Sequence, residues 1–215
     1  MPRRPSPLEG RRPTKTDLDY FRSHPQIGLD DILPSGEGPL RLLIVGINPG
    51  LWTAAVNAPF AHPGNRFWPS LTRAGVIDEN VDVSRGMSQR QADALVRRGI
   101  GLTNLVARPT VRADELSREE LRAGGAALVE RVAALRPRTV AIVGITAFRV
   151  AFRRPHARMG LQDTSDLNGW PTSSALWVVP QPSGLNAHET VDSLASKWRQ
   201  IWEVPCKDAA NQGPE

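Results

Sequence analysis

Asn48 combines a side chain able to steer water with a setting that would hold it still. An apolar run, Leu42 to Val45, leads into the turn Gly46-Ile47-Asn48-Pro49-Gly50. A buried strand ending in a rigid turn fixes a polar group at the rim of a sheet, where open α/β sheets place their ligands. The carboxamide can orient a water molecule. Being uncharged, it cannot abstract a proton strongly, so chemistry there depends on positioning and electrostatics. An apolar, aromatic loop follows and ends in His62, Asn65 and Arg66. A second polar, glycine-containing loop, Gln181-Pro182-Ser183-Gly184-Leu185-Asn186, comes directly after the last apolar run. Asp93, in a helical stretch, is either solvated surface or, if folded toward the substrate, a stronger water-activating group than Asn48.

Other chemistries lack their residues. GINPG is not a phosphate loop, because no Gly-Lys-Ser/Thr follows, and its glycine spacing is not a dinucleotide fingerprint. Ser183 has a glycine beside it but no G-x-S-x-G elbow. The histidines His24, His62, His156 and His188 show no ligand spacing such as HExxH. The single cysteine, Cys206, can form no internal disulfide and can hold neither an iron–sulfur cluster nor a structural zinc alone. The expectation is chemistry without metal or cofactor.

The elements that must position these residues are short. Four β-like runs, Leu40 to Val45, Ile100 to Val106, Thr139 to Val143 and Leu176 to Val179, are rich in Val, Ile and Leu with little polar alternation, as in strands buried on both faces. Helical patterns lie between them. Leu18 to Leu33 reads as a short helix and turn, and Arg66 to Ala74 as a helix. Ser88 to Arg97 and Ser117 to Leu135 each open with capping-box spacing, through Ser88 and Gln91 and through Ser117 and Glu120. Thr190 to Trp202 places Val191, Leu194, Ala195, Trp198, Ile201 and Trp202 on one stripe, with the tryptophans read as core anchors. Strands alternating with helices imply a mostly parallel sheet covered on both faces.

The chain has 215 residues, suited to one domain, and no apolar run approaches the roughly 20 residues that span a bilayer. The sequence pI of about 10.3 points to a polyanionic partner. The charge is uneven, however: residues 1–16 carry a net +4 of the chain's +5. The expected organisation is a basic flexible arm (1–16), a single domain (17–204) and a disordered tail (205–215). The arm is either a non-specific DNA tether or a solubilising tail.

Several blocks together resemble the Mug/TDG-type mismatch-specific uracil-DNA glycosylases of the uracil-DNA glycosylase superfamily. They are Gly46 to Leu51 (GINPGL), Pro59 to Pro63 (PFAHP), Asn65 to Trp68 (NRFW), Leu105 to Thr110 (LVARPT) and Pro182 to Leu185 (PSGL). The resemblance runs from about Leu40 to Trp202. It implies a three-layer α/β/α sandwich around a four-stranded, mostly parallel sheet. It implies a monofunctional enzyme that flips uracil from double-stranded DNA, preferentially at G:U mismatches, and hydrolyses its N-glycosidic bond to leave an abasic site. Asn48 then positions the water, backbone N–H groups near Ile47 and Asn48 bind the uracil carbonyls, and Phe60 stacks on the flipped base. Leu185 is the wedge that fills the gap, with Gln181, Ser183, Gly184 and Asn186 beside it. His62 contacts base or phosphate, or braces its loop. Arg66 is a phosphate contact or a helix-start salt bridge.

The chain departs from that pattern in places. Gln181 and Ala187 replace an asparagine and an arginine of the wedge loop, which loosens reading of the opposite guanine. Trp52 and Thr53 replace small residues beside the base, so Trp52 either narrows the pocket or adds a surface. Asn104 stands where a lysine can occur. No lysine is placed for Schiff-base chemistry. The expectation is a monomer, intracellular and nucleoid-associated, acting on uracil mismatches in duplex DNA. The alternative is a non-catalytic damage sensor of the same fold.

Overall fold

The computed structural model describes residues 3–36 and 40–203. Cys206 and the expected tail lie outside the described residues. The parallel strands are β1 (Leu42–Gly46), β2 (Ile100–Asn104), β3 (Thr139–Val143) and β5 (Ala175–Val179), and a short β4 (Gly160–Gln162) runs antiparallel. The sheet order is β2-β1-β3-β5-β4. The strand count is therefore five, not four. Gly160-Leu161-Gln162 carries no apolar run that a sequence could announce, and Leu161 is 62% exposed on the sheet edge.

Each central strand feeds two cores by alternation. Leu42 and Ile44 pack on one side with α1 (Lys15–Ser23), α2 (Leu51–Val56), α3 (Phe67–Arg73), α4 (Gln89–Arg97) and α7 (Val191–Trp202). Leu43 and Val45 pack on the other with α5 (Arg118–Leu135) and α6 (Ile145–Ala151). This is the expected α/β/α layering. Both capping boxes form, at Ser88/Gln91 and Ser117/Glu120, and Thr190 with Ser193 starts α7. Trp198 is fully buried, as a core anchor should be, and its ring meets Phe67 edge-on at 5.9 Å. α2 falls where a loop was expected, since its Gly50 N-cap supplies no side-chain cap. Among the described residues no helix is long and apolar enough to cross a membrane.

The N-terminal segment is not free of the body. Leu8 is buried in the first core. Arg4 pairs with Asp30, and the Arg3 guanidinium donates to the carbonyls of Asp30 and Asn57. Arg11 pairs with Asp17, which closes a capping box with Thr14 at the start of α1. Three of the five basic groups expected to trail in solvent thus hold the segment down, because Asp17, Asp30 and Asn57 offer it acceptors.

The order of the parallel strands reverses at β1. The chain goes from β1 to β2 on one side, then crosses to β3 on the other. Such a switch point leaves a crevice at the carboxyl ends of β1 and β3, where open sheets bind ligands.

Candidate nucleic-acid-processing site

The turn after β1 is laced to the segment after β2. Leu105 and Val106 N–H donate to Gly46 and Ile47 carbonyls (both 2.9 Å), and Thr110 N–H donates to Pro49 (3.1 Å). Asn48 lies between these strips. Its Nδ2 donates to the Arg108 carbonyl at 2.9 Å and to Thr110 Oγ1 at 2.7 Å, with a longer 3.3 Å approach to the Pro49 carbonyl. A carbonyl can only accept, so the amide nitrogen must face Arg108 and the carboxamide cannot be reversed. Among the described residues Oδ1 takes no donor, and it can accept from a water. Thr110 is 3% exposed, so its hydroxyl is a fixed acceptor. These two partners were missed from sequence because they lie about sixty residues away.

Arg108 is itself held. Its guanidinium reaches Glu120 at 2.7 and 3.0 Å and the Glu115 carbonyl at 3.1 Å. Arg108 and the Ser117 N–H draw the Glu120 carboxyl down to about 2. The start of α5 thereby steadies the carbonyl that grips Asn48.

Three groups close around the end of β1. The Phe60 ring stacks on buried Phe67 at 3.8 Å and 22°, in a backbone conformation with φ of +54°. A Cβ at Gly46 would meet the Asn104 side-chain amide at 2.4 Å and the Phe60 ring tip at 3.6 Å, so glycine lets both approach. The Asn104 amide makes no hydrogen bond within the protein among the described residues. It can both donate and accept, which suits the imide edge of a pyrimidine. The N–H groups of Ile47 and Asn48 likewise take no protein acceptor among the described residues. Gly144, after β3 with φ of +117°, lets Ile47 and Gln181 approach the backbone there; a Cβ would lie 2.9 and 3.3 Å from their side chains.

Trp52, Thr53 and His62 follow in α2 and the loop after it. Trp52 donates through Nε1 to the Ser84 carbonyl at 2.9 Å and meets His62 edge-on at 5.5 Å. It anchors the loop before α4. Thr53 is buried within α2. His62 Nδ1 accepts from Gly64 N–H at 3.2 Å, and Asn65 Oδ1 accepts from Phe67 N–H at 2.9 Å. His62 and Asn65 therefore brace their own loop. Asp93 accepts from Gln89 one turn earlier at 2.7 Å, and no hydrogen bond joins it to the Asn48 turn among the described residues.

Arg66 holds the loop after β5. Its Nη1 donates to the carbonyls of Asn186 (2.9 Å), Glu189 (2.7 Å) and, at greater length, Ser183 (3.4 Å), and Nη2 reaches Gly184 (3.4 Å). Its own N–H donates to the Pro182 carbonyl at 2.8 Å. These bonds turn the guanidinium onto carbonyls, and among the described residues it makes no ion pair at the start of α3. The two loops meet so closely that a Cβ at Gly184 would lie 2.6 Å from the Gly64 carbonyl oxygen. Ser183 Oγ accepts from Leu185 N–H at 3.2 Å, and Asn186 Nδ2 donates to the Gln181 carbonyl at 3.0 Å. On this frame the Leu185 side chain stands 96% exposed. The loop is thus fastened at five residues and displays a bare leucine.

A groove of about 450 Å³ lies elsewhere, between the N-terminal segment and the start of α4, and contains none of these residues. Among the described residues no three of His, Cys, Asp and Glu gather as metal ligands.

A family model, that of the uracil DNA glycosylase superfamily, matches residues 34–204. Among solved structures, the chain is similar to a solution NMR structure from Methanosarcina acetivorans described as a candidate uracil DNA glycosylase. The two share 18% identity and superpose with a TM-score of 0.51 over 81% of this chain and 96% of that one. That likeness concerns the fold.

Proposed function

Since the chain belongs to the uracil-DNA glycosylase superfamily, we propose that it excises uracil from duplex DNA, with preference for U:G mismatches, in the manner of the Mug/TDG-type enzymes. Leu185 enters the base stack as the uracil leaves it. The flipped base stacks on Phe60, with the Asn104 amide at its imide edge and the Ile47 and Asn48 N–H groups toward a carbonyl oxygen. A water accepted by Asn48 Oδ1 attacks C1′. The C1′–N1 bond breaks toward an oxocarbenium-like sugar, and its electron pair leaves with the base, stabilised by those donors. The water's proton passes to solvent, the departing uracil anion takes one up from solvent, and the products are an abasic site and free uracil.

The observation that carries this reading is the orientation of Asn48, with nitrogen held by Arg108 and Thr110 and oxygen left open. It supports catalysis by placement, since a well-oriented water removes much of the entropic barrier without a strong base. The opposite-base preference rests on the wedge loop. The Pro182 and Gly184 carbonyls, each engaged once by Arg66, keep a lone pair for the N–H groups of guanine.

A second reading, a sensor that flips or wedges without cutting, is favoured by one observation: Asp93, the carboxylate expected as an alternative activator, is engaged with Gln89. Release of free base from labelled U:G, U:A and T:G duplexes and from single-stranded uracil, with EDTA present, separates the two. Release led by U:G supports the mismatch glycosylase. Equal release from every uracil removes the guanine preference. Binding without release supports the sensor.

A further inference from the structure

We infer that the unforeseen edge strand β4 and the turn before it extend the duplex-contacting face past the wedge loop, with Arg153 and Arg158 as phosphate contacts. This rests on the reading that the chain acts on duplex DNA. β4 runs antiparallel to β5 with Gly160 opposite Val178. Two residues back from Gly160 and two onward from Val178, Arg158 comes level with Pro180, where the wedge loop departs. The turn is fixed in that position. Arg149 donates to the Ala157 carbonyl at 3.0 and 2.7 Å, and Gln162 Nε2 donates to the Arg158 carbonyl at 2.7 Å.

The charge there is unspent. Arg153 and Arg158 are exposed, and neither side chain makes a hydrogen bond or ion pair within the protein among the described residues. The nearby acids are engaged: Asp166 pairs with Arg154, and the Asp163 carboxylate binds Ser165 through N–H and hydroxyl (both 2.9 Å). The contrast with the N-terminal segment is direct, since there Arg3, Arg4 and Arg11 are turned onto the protein's own acceptors. A wedge needs the duplex held on both sides of the base it displaces, and duplex DNA offers about one negative charge per 1.7 Å of axis. A rigid turn that sets the free Arg158 guanidinium level with the start of that loop, with Arg153 earlier in the same connection, supplies such a hold on the β5 side.

The test is binding of the full chain to a fluorescent U:G duplex across a salt series, comparing wild type, Arg153→Gln/Arg158→Gln and Arg136→Gln. Arg136 is exposed at the end of α5, at the opposite, entry edge of β3. The double variant should lower the slope of log K against log salt by about 1.8, at about 0.9 per lost phosphate contact, while Arg136→Gln leaves it unchanged. Arg153 has φ of +54°, so Arg158→Gln alone, with an expected drop of about 0.9, covers a folding defect at that position. An unchanged slope in folded variants overturns the inference. Wild type that binds duplex without releasing base overturns the excision reading only, and the slope still decides this one. Wild type that does not bind duplex overturns both.

Discussion

Asn48 Nδ2 donates to Thr110 Oγ1 at 2.7 Å across 62 residues of chain. That bond, with the Arg108 carbonyl beside it, decides which end of the carboxamide faces the substrate. The Asn48 carboxamide is therefore set from the far side of the β1–β2 crossover and not by its own turn alone.

Thr110→Val keeps the shape of a residue that is 3% exposed and removes the acceptor. Single-turnover base release should fall about tenfold, the worth of one hydrogen bond of roughly 1 to 1.5 kcal/mol applied to orientation, while duplex affinity stays within a factor of two or so. An unchanged rate in the folded variant would mean that Asn48 needs no such grip.

Arg66→Lys keeps a charge but loses the planar fork that serves the carbonyls of Asn186 and Glu189. Excision from duplex should drop by an order of magnitude or more, and excision from single strands far less. The salt dependence of binding should not change. A slope reduced by about 0.9 would instead make Arg66 a phosphate contact.

Leu185→Ala removes an exposed side chain, so thermal stability should move by less than about 0.5 kcal/mol. Duplex turnover should fall while single-strand turnover holds. Equal losses on both substrates would argue against insertion.

The acid limb of stability should report the Arg108–Glu120 pair. Glu120, with an ordinary value of 4.5, is drawn down to about 2 in the folded protein. A depressed carboxyl stabilises the fold fully above its unfolded value and loses that contribution as pH falls through the folded one. Melting temperatures of wild type should therefore decline between about pH 5 and pH 2 more than those of Glu120→Gln. Both side chains are about one third exposed, so the difference should be modest and shrink with added salt.

Much of this site was legible because its signals are local. An apolar run ending in GINPG marks a strand and its turn, and the Ser88/Gln91 and Ser117/Glu120 spacings mark helix starts through bonds three residues long. What stayed hidden depends on distant chain. The partners of Asn48 come from after β2, and the destination of Arg66 is a loop more than 110 residues away. Asn104 read as a missing lysine until Gly46 and Phe60 were seen beside it. β4 is three residues long, and its single apolar residue, Leu161, gives no alternation to read. The N-terminal segment looked free because composition counts its arginines without showing that Asp17, Asp30 and Asn57 receive them.

The central claim is that a water held by Asn48 hydrolyses the uracil glycosidic bond. The measurement that tests it most directly is single-turnover release of free uracil from a U:G duplex by wild type and Asn48→Ala, with duplex affinity measured on the same samples. The account predicts release by wild type, and a loss of two or more orders of magnitude in the variant at nearly unchanged affinity. Wild-type release that Asn48→Ala matches in full would contradict it.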